Sequence, residues 1–150
     1  MKTLPKEYIG DQLSHGTLRD EDLIPYFMDF LQNVKGICKI EKKVDLLQKD
    51  VDKLELEEES GYSDYYKDQE TASYILNEDI WDLLNDIAPE FTYFGSTEWD
   101  GSDFGFWTDE EGLLEHIEED IEFTIDSAND LTKLKDKLNE IVELIESHDR

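Results

Sequence analysis

The run DGSDFGFWTDEE puts Asp100, Ser102, Gly105 and Glu111 at positions 1, 3, 6 and 12 of an EF-hand spacing, with Trp107 at the apolar eighth. Such a loop wraps Ca²⁺ with oxygen ligands from positions 1, 3, 5, 7, 9 and 12. Here position 5 is Phe104, which has no side-chain oxygen, and position 9 is Thr108. The preceding run is strand-like rather than helical. The expectation is a plain hairpin loop, with weak Ca²⁺ binding at 100–111 left to measurement.

Other chemistry is harder to place. His116 stands beside Glu115, Glu118 and Glu119, a set that binds a metal loosely at best. No second histidine follows at helical spacing, so the HExxH geometry is absent. His15 and His148 fall in a loop and at the C-terminus. Cys38 is the single cysteine, which excludes an intrachain disulfide and a cysteine zinc cluster and fits a reducing compartment. Acid–base carboxylate pairs cannot be recognised where carboxylates are everywhere. No Gly-rich phosphate loop and no nucleophile motif occurs. The chain is read as a non-enzyme, with no catalytic residue, cofactor or metal assigned.

Charge is the stronger signal. The net charge is −26, and the segment 68–132 holds 20 acidic residues with no lysine or arginine. The flanking segments are close to balanced. Such a field repels nucleic acid and anionic membranes and attracts basic proteins from a distance. Self-repulsion also costs stability, so a charge this large asks for a reason beyond solubility, which Asp and Glu do serve.

Spacing suggests the reason. Alternate side chains of a strand stand about 6.6 Å apart, and each DNA strand carries one charge per roughly 3.4 Å of axis along a longer helical path. Carboxylates fixed on helix faces and a hairpin rim therefore approximate a phosphate array. A groove that seeks anions with Lys and Arg accepts either. The residues expected to form this array are Asp82, Asp86, Glu98, Asp100, Asp103, Asp109, Glu110, Glu111, Glu115, Glu118, Glu119 and Glu122. Trp99, between Glu98 and Asp100, is either a contact anchor, as interface tryptophans often are, or buried under its own loop.

These groups need a frame. The length of 150 residues suits one domain, with 1–14 as an N-terminus free to move and 55–68 as an acidic connection. Thr17 is placed to cap a helix carrying Ile24, Phe27, Met28, Leu31 and Val34 on one face; Pro25 should kink or divide it and Gly36 end it. Ile40, Val44, Leu47, Val51 and Leu54 form a short heptad seam, either an ordinary core face or a homodimer contact through 40–54. Ile75, Leu76, Ile80, Leu83, Leu84 and Ile87 define a third helix ended by Pro89, with Asp79, Asp82 and Asp86 opposite.

FTYFGS and DFGFWT, joined through Asp100-Gly101, predict a β-hairpin over 91–108. A short helix should follow, then a third strand over 120–126 where Ile121, Phe123 and Ile125 alternate; a continuous helix through both is the rival reading. The last helix, capped by Asp126 or Ser127, carries Leu131, Leu134, Leu138, Ile141, Val142 and Ile145 on one face. The fold class is α+β, with four or so helices packed on a small antiparallel sheet. No run of 18 apolar residues occurs and the first residues lack a secretory signal's apolar core, so a cytoplasmic protein is expected.

SHGTLRDEDLIPYFMDFL and LLNDIAPEFTYFGSTEWDGSDFGFW resemble conserved blocks of small uncharacterised acidic proteins of bacteriophages and prophages. The shared elements are Gly16–Arg19, Asn85–Glu90 and Tyr93–Trp107, within less than a third of the chain. Ser96–Trp99 stands where those proteins have a His-Pro-Gly-like turn. The resemblance implies phage origin and no particular chemistry. By analogy with other small acidic phage proteins, it directs the expected partner toward a basic nucleic-acid-binding defence nuclease, such as a CRISPR effector or restriction enzyme, blocked by a DNA mimic. The alternative is an immunity- or antitoxin-type protein, or a phage regulatory adaptor, binding another basic partner. Neither nucleic acid itself nor a membrane is an expected partner.

Overall fold

Apolar residues spaced by one, three or four positions commit the segment after Arg19 to a helix buried along one face. A computed structural model, which describes residues 1–57, 64–127 and 131–148, places this helix, α1, at Asp20–Cys38, with Leu23, Ile24, Phe27, Met28, Leu31, Val34 and Cys38 inside. Pro25 lies within it, so of the expected kink or division, division does not occur. An interior proline costs about 3 kcal/mol, whereas each buried aliphatic or aromatic side chain contributes roughly 1.5–3 kcal/mol. Burial wins. Nor does Gly36 end the helix: Lys39 does, turning left-handed at φ 57° with its amide on the Lys35 carbonyl. Thr17 sits just before the start, where its Oγ1 accepts the Arg19 amide and donates to Asp22.

Helix α2, Glu41–Asp52, turns the heptad seam inward. Ile40, Val44 and Leu47 are buried, and Val51 and Leu54 pack partly buried on the same core. The face that a dimer through 40–54 would need is thus covered by the molecule itself. Within the connection, β2 (Leu56–Glu57) and β3 (Tyr65–Tyr66) pair antiparallel; residues 58–63 lie outside the described ones.

Asp68 caps the next helix, accepting the Thr71 amide and hydroxyl. The helix runs as α3, Gln69–Tyr74, a π-helical stretch, Ile75–Ile80, and α4, Trp81–Asp86. Every residue of the expected stripe is buried. The wider π turn brings Ile75 and Ile80, five residues apart, onto one face.

The hairpin forms in the predicted place. Strand β4, Thr92–Ser96, pairs with β5, Phe104–Thr108, so that Tyr93 opposes Trp107 and Gly95 opposes Gly105. Alternation sends Phe94, Phe104 and Phe106 into the core. There Phe27 meets Phe94 and Phe104 edge-on at 5.2 and 5.9 Å, and Trp81 meets Phe94 at 4.8 Å. The third strand is not at 120–126. It is β1, Gln12–Ser14, giving the order β1-β5-β4 with β4 at an outer edge. Residues 1–14, expected to be free, are tied in: Leu4 and Ile9 are buried, and the Leu4 amide donates to the Ile87 carbonyl at 2.8 Å.

Segment 120–126 belongs instead to α5, Glu110–Ser127. Leu113, Ile117 and Ile121 recur every four residues, and once a helix has begun, each further residue adds a hydrogen bond at little cost. Asp126 and Ser127 end α5 rather than cap the next helix. Helix α6, Leu131–His148, joins α5 through a small second core of Leu113, Ile117 and Ile141, with Phe91 and Leu144 against it. The expected α6 stripe is corrected: Leu138, Val142 and Ile145 are exposed, because Ile141, Leu144 and His148 are the residues turned inward. The side chains of Leu131 and Leu134 lie outside the described ones.

Candidate functional site

The hairpin turn is built by its own polar groups. Asp100 Oδ1 accepts the Ser102 amide at 2.9 Å and its hydroxyl at 2.7 Å, which holds the Asp100 carboxyl below its usual range. Thr97 Oγ1 accepts the Asp100 amide, and Asp103 Oδ1 accepts from Gln12 of β1 at 2.6 Å. His15 lies 3.6 Å from Asp100 Oδ2. Asp100 and Asp103 are therefore occupied with holding the loop. With the loop pinned from both sides, Trp99 stands outward at its tip, 94% exposed, not buried beneath it.

This geometry removes the EF-hand. Phe104, its fifth position, is a buried residue of β5, and Glu111 belongs to α5. Among the described residues, no group of three or more His, Cys, Asp or Glu side chains is arranged to hold a metal ion. His116 is engaged elsewhere, 3.2 Å from Asp120 one turn on and 4.7 Å from the Phe91 ring.

The expected acidic array divides in two. Asp82 and Asp86, with Asp79, face α2 across a cleft of about 350 Å³ that also holds Lys43 and Asp50. Burial, with Asp50 and Asp82 nearby, raises the Asp79 carboxyl above its usual range. These residues do not join the hairpin group, because α4 packs its opposite face and turns them toward α2.

The larger group lies along the hairpin loop and α5. Glu111, Glu115, Glu118 and Glu122 recur at steps of four, three and four and are all exposed, so they form one row about 16 Å long at 1.5 Å per residue. Glu119 is exposed beside them. Asp109 accepts the Gly112 amide as the cap of α5. Among the described residues, none of Glu98, Asp109, Glu110, Glu111, Glu115, Glu118, Glu119 and Glu122 forms an ion pair. The described lysines that form ion pairs use other carboxylates: Lys35 with Asp45, Lys53 with Asp50, Lys67 with Glu55, and Lys137 with Asp120 of α5 and Glu140.

Between the loop and the start of α5 lies a concavity of about 600 Å³, bounded by Glu98, Trp99, Asp109, Glu110 and Glu111 together with Tyr93, Trp107 and His148. The last three were not among the expected site residues. Strand alternation could have found two of them. Phe94, Phe104 and Phe106 point inward, so Tyr93, Gly95, Gly105 and Trp107 share the outer face. The glycines leave the space over which the two rings lie: the Tyr93 ring sits 3.3 Å from where a Gly95 Cβ would be, and the Trp107 ring 3.0 Å from a Gly105 Cβ.

His148 gives no local signal. It is nine-tenths buried, with Nδ1 3.1 Å from Thr108 Oγ1, whose hydroxyl also reaches the His148 carbonyl at 3.2 Å. With the hydroxyl hydrogen on that carbonyl, Oγ1 accepts Nδ1–H, and Nε2 keeps its lone pair. Among the described residues Nε2 has no hydrogen-bond partner. Burial, then Lys6 nearby, hold the imidazole below its usual value, against a weaker pull from Glu90, so it is neutral at pH 7.

No helix among the described residues is long and apolar enough to cross a membrane. Comparison with protein-family models, curated proteins and solved structures finds no match, so the functional argument rests on this geometry.

Proposed function

We propose that this chain is a non-enzymatic inhibitor that occupies the basic groove of a nucleic-acid-binding protein by presenting carboxylates in place of phosphates. The phage-like sequence blocks direct the partner toward a defence nuclease of the CRISPR-effector or restriction type. The observation that carries the reading is the set of exposed carboxylates Glu98, Asp109, Glu110, Glu111, Glu115, Glu118, Glu119 and Glu122 on one loop and one helix, without an ion pair among the described residues. A row of like charges at helical spacing weakens an isolated helix; a binding role explains its presence. An array on ordered elements also loses less conformational entropy on docking than an acidic tail does.

The test is capture from a host lysate on the immobilised protein, eluted with a salt gradient. A retained nucleic-acid-binding protein, released by moderate salt and displaced by short duplex DNA, supports the reading. An affinity that is flat from low to high salt overturns it.

A further inference from the structure

The formally charged side chains described around the hairpin–α5 concavity are acidic. Glu98, Asp109, Glu110 and Glu111 border it, and among the described residues no lysine or arginine does. Trp107 spends its single N–H on the Gly95 carbonyl at 2.8 Å, so the indole has no donor left for an anion and offers only its negative π face. Tyr93 lies beside it as its cross-strand partner, and Trp99 stands almost wholly exposed at the rim. His148 packs behind this wall, its Nδ1 held by Thr108. The positive end of α5 opposes a cation, but it amounts to roughly half a charge against four formal negative ones.

We propose that this concavity is a binding site for a guanidinium group, stacked on the indole face of Trp99 or Trp107 and hydrogen-bonded to the Glu110 and Glu111 carboxylates. A guanidinium suits the site better than an ammonium because it is planar, weakly hydrated and carries five N–H donors in a fork that matches carboxylates. Its flat face suits the aromatic walls while its edge donors suit the carboxylates. The volume lies within the usual range for small-ligand sites, about 300–1,000 Å³. The site stands on its own geometry; where the inhibitor reading also holds, the guanidinium is an arginine side chain of the captured protein.

The experiment titrates the full chain with ethylguanidinium, following tryptophan fluorescence and heat, with ethylammonium as the comparison. Saturable one-to-one binding of ethylguanidinium, tighter than ethylammonium, is expected. Trp99→Ala should weaken it about 2- to 5-fold, the range of an exposed cation–π contact, and Glu110→Gln/Glu111→Gln by at least as much. Asp136→Asn/Glu143→Gln removes the same two charges from α6, outside the site, and should leave it unchanged. If that control weakens binding as much as the Glu110/Glu111 pair, or if neither probe saturates, the site is overturned.

A second arm compares Gly-Arg-Gly with ethylguanidinium. Comparable or tighter peptide binding identifies a protein side chain as the source, and exclusion of the peptide identifies a small free cation; either outcome supports the site. Far-UV circular dichroism of each variant separates loss of fold from loss of binding. Salt-dependent lysate capture that persists in variants unable to bind ethylguanidinium would leave the inhibitor reading standing without this site as its anchor.

Discussion

Trp107 Nε1 donates to the carbonyl of Gly95, 2.8 Å away on the neighbouring strand. One bond thus sets the angle of the indole that walls the aromatic concavity and satisfies a main-chain acceptor on β4, the edge strand. Trp107→Phe keeps most of the ring and deletes the bond. A loss of about 1 kcal/mol is expected in urea unfolding, together with faster amide exchange at the Thr97 end of the hairpin. An unchanged midpoint would mean that the bond does not form.

Gly105 is needed for space. A Cβ there would lie 2.4 Å from the Asp11 carbonyl oxygen, a main-chain atom that cannot step aside without moving β1. Gly105→Ala should therefore destabilise by about 1–3 kcal/mol, the cost of overpacking. Gly101→Ala meets nothing within 4 Å and serves as the control. Equal stability of the two variants would contradict the packing of β1 against β5.

Phe91 holds α5 and α6 to the rest of the molecule. It adopts a left-handed backbone, φ 59°, unusual for a bulky residue, and its ring packs on the small second core and on His116. Phe91→Ala should speed amide exchange across 110–148 while leaving α1 protected, because the two cores open separately. Uniform acceleration over both would show a single cooperative unit.

His148 couples stability to pH. Its folded pKa is depressed below the ordinary 6.5 by burial, so the unfolded chain binds the proton more readily. Its contribution is fully present above about pH 6.5 and is lost as pH falls through the folded value. Acidification also relieves carboxylate repulsion, which acts the opposite way. The readout is accordingly the difference between wild type and His148→Asn: it should shrink as pH drops from 7 toward 5. A difference independent of pH would show that the imidazole titrates normally.

Salt should stabilise the fold. With a net charge of −26 and many carboxylates unpaired, self-repulsion acts over a Debye length of about 30 Å at 10 mM salt and 8 Å at 150 mM. The melting temperature should rise over that interval. A falling or level melting temperature would imply that ion pairs outweigh repulsion.

Local periodicity made the helices legible. The stripe from Ile75 to Ile87 is buried as its spacing requires, and the Asp100-Gly101 turn with alternating aromatics placed the hairpin. What sequence could not supply were long-range choices. Gln12–Ser14 is too short to announce a strand and becomes one only because β5 offers it an edge. Ile121, Phe123 and Ile125 alternate like a strand, yet the helix begun at Glu110 carries through them. At the site, the carboxylates were legible as exposed groups, but the separation of Asp82 and Asp86 from the rest depends on which face of α4 the core takes. The Thr108–His148 contact joins residues 40 apart, and nothing near either one foretells it.

The exposed Leu138, Val142 and Ile145 of α6 have a consequence for handling the protein. At neutral pH, like-signed copies repel before those side chains can meet a neighbour. Near the isoelectric point of about 4.1 this barrier vanishes, and apolar contact between copies becomes the available route to insoluble material.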